Sequence, residues 1–235
     1  VSTVRAAETG VRRTAAPRAG ARWALVAASE SAVAAAAVLL DLALPTLVLL
    51  AMAALSLAVR REGPATLGLH RAPAGRLVVT ALAFAAAWSV FQLAVTLPVA
   101  NHVSGSEQDL SAFDDLQGNV AMLALLLVLS WTLAAVGEEV AYRGYLLTRL
   151  GEALGGVVGR RAALVGAVLV SSVLFGLAHT EQGWIGVTVV ALDGIAFAWL
   201  RFRCGTLWAA VLAHGFNNTL GFVTFFLVGP VHGLW

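Results

Sequence analysis

Seven apolar runs, separated by short segments that hold most of the charge, dominate this 235-residue sequence. A helix that crosses a bilayer needs about 20 mostly apolar residues. Runs at 23–40, 42–59, 77–100, 120–142, 162–178, 185–200 and 206–228 meet or approach that length. Hydrophobic residues make up 60% of the chain and charged residues 12%, against roughly 45–50% and about 25% in soluble domains. No polar stretch is long enough to fold as a separate soluble domain. Only helices and closed barrels satisfy their backbone groups in lipid, and runs of this length are helical. The sequence therefore predicts an all-α, polytopic transmembrane helical bundle of about seven spans, with six to eight as the range. One cysteine, Cys204, excludes an intrachain disulfide and any paired-cysteine metal or redox motif.

All 15 basic residues are arginines, and their placement sets the expected orientation. The segment 1–22 carries Arg5, Arg12, Arg13, Arg18 and Arg22 among small residues and reads as a basic, flexible cytoplasmic tail. Threading the seven spans from a cytoplasmic N-terminus puts Arg60, Arg61, Arg71, Arg76, Arg149, Arg160, Arg161, Arg201 and Arg203 on the same side. The opposite segments 41–45, 101–119, 179–184 and 229–235 contain no arginine, as the positive-inside rule requires. The expected location is an integral membrane protein of the bacterial plasma membrane. The lipid bilayer is its expected partner, and a net charge of +2 gives no reason to expect a nucleic acid.

A few polar residues fall inside the spans, where a charge costs roughly 2.5–3.5 kcal/mol on insertion scales. Glu138 and Glu139 are adjacent in an unbroken apolar helix, and Arg143 follows Glu139 by four residues. On an α-helix Glu139 and Arg143 share a face and can pair. Glu138 points elsewhere and has no partner in its own helix, which leaves it available as a general base. His179 closes the fifth run, and His214 and Asn218 share a face of the seventh, with Asn217 rotated about 100° away. Carboxylate, imidazole and carboxamide together form a set able to activate water and stabilise an oxyanion. Singly, each of these residues reads as interhelical hydrogen bonding. Asp193 in the sixth run is read that way, and Glu30 in the first is turned toward the bundle with no assigned role.

In order along the chain, Glu138-Glu139-x-x-x-Arg143, Phe175-x-x-x-His179 and His214-x-x-x-Asn218 resemble the three signature motifs of the CPBP family. These are the CAAX protease and bacteriocin-processing intramembrane endopeptidases, also called Abi. Tyr142-Arg143-Gly144-Tyr145-Leu146-Leu147 is similar to the family's first motif, and Gly205-Thr206-Leu207-Trp208-Ala209-Ala210 to its lead into the third. Leu67-Gly68-Leu69 resembles a short loop common in bacterial members. The resemblance divides the chain into the tail 1–22, a variable N-terminal transmembrane part 23–119, a CPBP-like catalytic transmembrane core 120–228, and a short C-terminal tail 229–235.

The resemblance implies an intramembrane endopeptidase acting on a membrane protein or a lipidated peptide. Carried over by position, Glu138 is the general base, His179 holds the water, His214 and Asn218 stabilise the oxyanion, and Glu139 and Arg143 support the site. No cofactor is favoured. Zinc is the alternative, with Glu138, His179 and His214 as its three protein ligands. A proton-coupled transporter and a non-catalytic immunity or scaffold protein are the competing readings.

One geometric condition follows. Counted from the nearest cytoplasmic-side arginines, Glu138 is 11 residues from Arg149 and His214 is 11 from Arg203, whereas His179 is 18 from Arg161. At about 1.5 Å per residue the excess is roughly 10 Å of depth. The fifth helix must begin well below the membrane surface, tilt, or bend at Gly166 or Gly176.

Overall fold

The computed structural model describes residues 17–42 and 44–235. Seven helical stretches carry the chain: α1 (Pro17–Leu39), α2 (Pro45–Arg60), α3 (Ala74–Ser104), α4 (Val120–Val158), α5 (Arg160–Leu177), α6 (Gly183–Cys204) and α7 (Leu207–Val228). Each corresponds to one apolar run of the sequence, and there is no strand among the described residues. Six of the seven regions are long and apolar enough to cross a membrane, while α2, at 16 residues, is shorter. Of the basic tail, residues 1–16 lie outside the described residues, and α1 starts at Pro17. Large apolar side chains such as Leu25, Val79, Val128, Val165 and Trp199 face outward, the surface expected where lipid is the solvent.

At 39 residues, α4 is about 58 Å long, well beyond a hydrocarbon core of about 30 Å. It is the axis of the bundle, in contact with α1, α2, α5 and α7. Its projecting end turns at Gly159, where φ is +81°, and α5 returns along it. This hairpin accounts for the depth of His179. Glu138 lies 21 residues before Gly159 and His179 lies 20 after it, so the two reach the same level. Arg149 sits partway along α4, ten residues before the corner at Gly159, so α5 starts beyond the level from which Glu138 is counted.

Arg149, which the orientation count groups with the cytoplasmic-side arginines, is not exposed to solvent. It is fully buried, pairing with Glu62 at 2.7 Å, Glu152 at 2.8 Å and Glu30 at 3.4 Å. Arg60 pairs with Glu152 at 2.8 Å and Glu30 at 3.0 Å, and lies 4.8 Å from the Trp23 ring centroid. This network of two arginines and three glutamates ties α1, α2 and α4 together, and gives Glu30 its inward partner. Networks of this kind hold charge in a partly desolvated setting better than isolated pairs do.

The loop at Leu67-Gly68-Leu69 is similarly built in. Gly68 has a φ of +89°, and its carbonyl accepts the Leu207 N–H at 2.7 Å. A Cβ at Gly144 would meet Leu67 and Leu207 side chains at 3.4 and 3.3 Å. The first and third family-like motifs and this loop thus close on one another through small residues.

Close helix approach positions the remaining elements. A Cβ at Gly176 of α5 would collide with the Val187 carbonyl oxygen, and one at Gly194 of α6 would lie 2.6 Å from Ser172 Cβ. On α7, a Cβ at Gly215 would meet the Trp131 ring at 2.6 Å. Absent side chains let the helices cross at short range, and each glycine stands within three residues of a polar cavity residue. Gly194→Ala is expected to lower stability by about 1–3 kcal/mol through overpacking. Gly155→Ala, where a Cβ meets nothing within 4 Å, is expected to be neutral or to stabilise by up to about 1 kcal/mol. Unfolding midpoints of the two variants in detergent check the contrast.

Candidate active site

The first site residues arise where α4 departs from regular α-helix. Over Ser130–Leu146 the backbone bonds run in the π pattern, i to i+5, and Leu147 N–H closes the stretch on the Tyr142 carbonyl. Such segments are rare and concentrate at functional sites. More residues per turn mean a smaller angle between neighbours than the about 100° of an α-helix, so Glu138 and Glu139 diverge less than the sequence reading assumes. Both reach the same histidine. His214 Nδ1 lies 2.9 Å from Glu139 Oε1, and its Nε2 lies 3.9 Å from Glu138 Oε2.

Glu139 and Arg143 meet as expected, Arg143 Nη1 lying 3.1 Å from Glu139 Oε1 with both side chains buried. The guanidinium also sits 3.8 Å from the Phe175 ring centroid and 5.7 Å from that of Phe197. Cation–π contact in a desolvated setting contributes about 2 kcal/mol or more, and here it stands in for hydrogen bonds, since Nε, Nη1 and Nη2 of Arg143 have no hydrogen-bond partner among the described residues. An ionised carboxylate can only accept, so His214 Nδ1 donates to Glu139 and Nε2 is the nitrogen turned toward Glu138. Phe197 stacks on the imidazole, with centroids 5.3 Å apart.

His179 stands just beyond the end of α5 at Leu177. Its Nδ1 lies 2.9 Å from the Phe175 carbonyl oxygen, one of the acceptors left unpaired in the last helical turn. That bond assigns the donor role to Nδ1 and leaves Nε2 free. The Phe175 ring packs edge-on against Tyr142, His179 and His214 at 5.0, 5.0 and 6.1 Å between centroids. Phe175 therefore does more than mark a motif: it orders both imidazoles and caps Arg143.

A cavity of about 470 Å³ opens among α3 to α7, lined by Glu138, His179, Asp193, His214, Asn217 and Asn218 together with apolar side chains. All four residues expected to act on substrate line it, while Glu139 and Arg143 lie behind the wall. Asn218 makes no hydrogen bond to a described residue. Asn217, which helix geometry turns away from the His214 face, also reaches the cavity, its Oδ1 accepting the Ser89 hydroxyl at 2.8 Å. Asp193 is held by Trp88 and Gln92 of α3, an interhelical hydrogen bond as the sequence suggests. Nothing in the spacing could have named those partners, because they lie about a hundred residues upstream. A zinc ion on Glu138, His179 and His214 needs three converging donors. Among the described residues no three His, Cys, Asp or Glu side chains are grouped to hold a metal ion.

The 105–119 loop, the turn after α5 and the segment 229–235 also line the cavity, through Gln108, Phe113, Gln182 and Val231 among others. Gln108 Nε2 donates to Gln182 Oε1 at 2.9 Å, and Asn101 Nδ2 to the His232 carbonyl at 2.6 Å. Within α3 a π turn spans Gln92–Thr96, and in that register Pro98 would bond the Leu93 carbonyl had it an N–H. Leu234 N–H supplies that bond at 3.0 Å, and Trp235 Nε1 takes the neighbouring Ala94 carbonyl at 2.9 Å. The short C-terminal tail is thus docked on the groups that a helix-interior proline leaves open.

With this geometry in view, the comparison with known families is specific. Residues 120–220 match the family model of the Rce1-like type II CAAX prenyl endopeptidases. This is the family kind that the three motifs resemble, and the matched residues take in Glu138, His179, His214 and Asn218. The Rce1-like segment covers α4 to most of α7, short of half of the chain, and the family is one of CAAX-type intramembrane proteases. No curated protein and no solved structure matches. Outside the Rce1-like segment, α3 completes the cavity with Ser89, Gln92, Leu93 and Leu97.

The buried pair in the Rce1-like segment makes a sharp stability prediction. Arg143→Met leaves Glu139 buried without its cation and is expected to cost about 3–5 kcal/mol. Adding Glu139→Gln is expected to recover most of that loss, since neutral replacement of a buried pair is often close to isoenergetic. Denaturation midpoints of the two single variants and the double variant check the coupling.

Proposed function

We propose that this chain is an intramembrane endopeptidase that hydrolyses a peptide bond in a membrane-associated protein or lipidated peptide, using a water activated by Glu138. The observation that carries this reading is the different fate of two adjacent carboxylates. Glu139 is held by Arg143 and His214, whereas Glu138 faces the cavity with no arginine partner among the described residues and with His214 Nε2 3.9 Å away. The Rce1-like match supports the protease class.

In this reading Glu138 removes a proton from the water as it attacks the carbonyl, a role that contributes 10²–10⁴-fold in typical enzymes, roughly. His179, anchored through Nδ1, holds the water through Nε2. Asn218 Nδ2 donates to the oxyanion, and His214, whose Nδ1–H is committed to Glu139, donates through Nε2–H in its doubly protonated form, each such donor being worth about 10²–10³ in kcat where measured. Glu139 and Arg143 touch no substrate and fix His214. The aliphatic and aromatic cavity wall excludes bulk water and strengthens these interactions. With the N-terminus in the cytoplasm of a bacterium, the loops that line the cavity belong to the arginine-free face of the plasma membrane.

Glu138→Gln is expected to abolish cleavage, at least about 100-fold, without loss of fold. Purified protein in liposomes, incubated with membrane proteins from a strain lacking it, is expected to generate new N-termini that the variant does not. Equal processing by the variant returns the chain to the carrier or scaffold readings. The glutamate mechanism also predicts that exhaustive chelation leaves the wild-type rate unchanged. Loss of activity on chelation with recovery on adding zinc makes Glu138 a ligand instead.

A further inference from the structure

Asp193 lies in the middle of α6, is buried, and lines the same cavity as Glu138. No cation pairs with it at ion-pair distance among the described residues, so its retention in the span is not explained by charge neutralisation. Its hydrogen bonds are lopsided. Trp88 Nε1 donates to Oδ1 at 2.6 Å, and Gln92 Nε2 donates to the same oxygen at 2.7 Å. Trp88 and Gln92 are four apart and share one face of α3, and Gln92 begins the π turn. Oδ2 takes no hydrogen bond from any described residue, and it is not among the enclosed atoms that lack partners.

An indole N–H can only donate, so Oδ1 is fixed as an acceptor. Any proton carried by Asp193 therefore resides on Oδ2, the oxygen left open to the cavity. A purely structural acceptor for Trp88 and Gln92 would be met equally by an asparagine, without a buried acid. Hydrolysis also requires a proton on the departing amine, which either Glu138 returns after taking it from the attacking water or a second carboxyl in the cavity supplies.

We propose that Asp193 is the second proton-transfer carboxylate of the cavity and protonates the leaving amine from Oδ2. The inference rests on the protease reading above. In the balanced sequence, the water oxygen bonds to the carbonyl carbon as its proton passes to Glu138. The C–N bond then breaks, the nitrogen keeps the electron pair and takes the Asp193 proton, and the carboxyl product is released. Asp193 is reprotonated by the proton held on Glu138, through cavity water, and both carboxyls return to their starting states. The charged groups that act on Asp193 from packed elements are His214 on α7, Arg143 on α4 and His179 at the end of α5, and the carboxyls that share its cavity are Glu138 on α4 and Glu181 in the turn after α5. The facing part of α3 offers only the neutral Trp88 and Gln92.

Asp193→Asn keeps an Oδ1 acceptor for both donors and removes the transferable proton. Compared with wild type and Glu138→Gln, each in liposomes with the membrane-protein mixture above, it is expected to form new N-termini about 100-fold more slowly. On a peptide spanning the most strongly cleaved site, the loss is expected in kcat with KM unchanged. A general acid works only while protonated, so the wild-type rate falls as pH rises through its titration, and that alkaline limb is expected to vanish in Asp193→Asn. Asp193→Glu is expected to restore part of the rate. If Asp193→Asn matches wild type in rate and pH profile while Glu138→Gln is inactive, the role given to Asp193 is overturned and the protease reading stands. If wild type generates no termini beyond those of Glu138→Gln, the protease reading itself falls. If Asp193→Asn lowers the unfolding midpoint and slows cleavage with the alkaline limb intact, Asp193 is structural and the inference fails.

Discussion

The ion pair between Glu139 and Arg143 is the interaction on which the site depends. Both groups are buried in a bundle whose surroundings are aliphatic and aromatic, where an uncompensated charge costs several kcal/mol. Their attraction alone does not balance that cost. The pair persists because Phe175 and Phe197 present ring faces to the guanidinium and His214 donates to the carboxylate. One consequence is mechanical: His214 is fixed in tautomer and orientation. Another is chemical: the arginine is committed to Glu139, which leaves Glu138 the carboxylate that faces the cavity.

The second constraint is the distance between helices. Glu138, Asp193 and His214 come from three helices and His179 from the turn that ends a fourth, and their side chains are short compared with the usual helix spacing of 8–10 Å, roughly. Gly176, Gly194 and Gly215 bring α5, α6, α7 and α4 close enough for those side chains to share one cavity. Alanine is already too large at these crossings without a shift of the neighbour. The Gly68 loop and the salt-bridge network around Arg149 act at a different level of the bundle, holding the helix ends so that the crossings are not the only tie.

Much of this was legible before any coordinates. All seven runs became helices because length and apolarity are sufficient in lipid, and the Glu139–Arg143 pairing followed from a four-residue spacing that survives the π pattern. The apparent excess depth of His179 arises because the count runs from Arg149, partway along α4, rather than from the corner at Gly159. Burial of Arg149 depends on Glu30, Glu62 and Glu152 from three separate segments, and no local pattern reports such convergence. For the same reason the bracketing of His214 by both glutamates was invisible, since it needs the π register of α4. Trp88 and Gln92 gave no sign of their attachment to Asp193, and Pro98 none that residues 234 and 235 would take up its missing bonds. What an apolar sequence withholds is the choice of partner among helices that are equally content in lipid.

Central to the account is an attacking water activated by Glu138, with no covalent bond formed to the protein. The most direct test is a single turnover in water enriched in ¹⁸O, using enzyme in excess over a peptide spanning a cleaved site, with mass analysis of product and protein. The account predicts that the new C-terminal carboxyl carries one solvent ¹⁸O in that first turnover, while the Glu138 carboxyl remains unlabelled. An unlabelled product with ¹⁸O on Glu138 would contradict it, because the carboxylate itself would then have been the nucleophile.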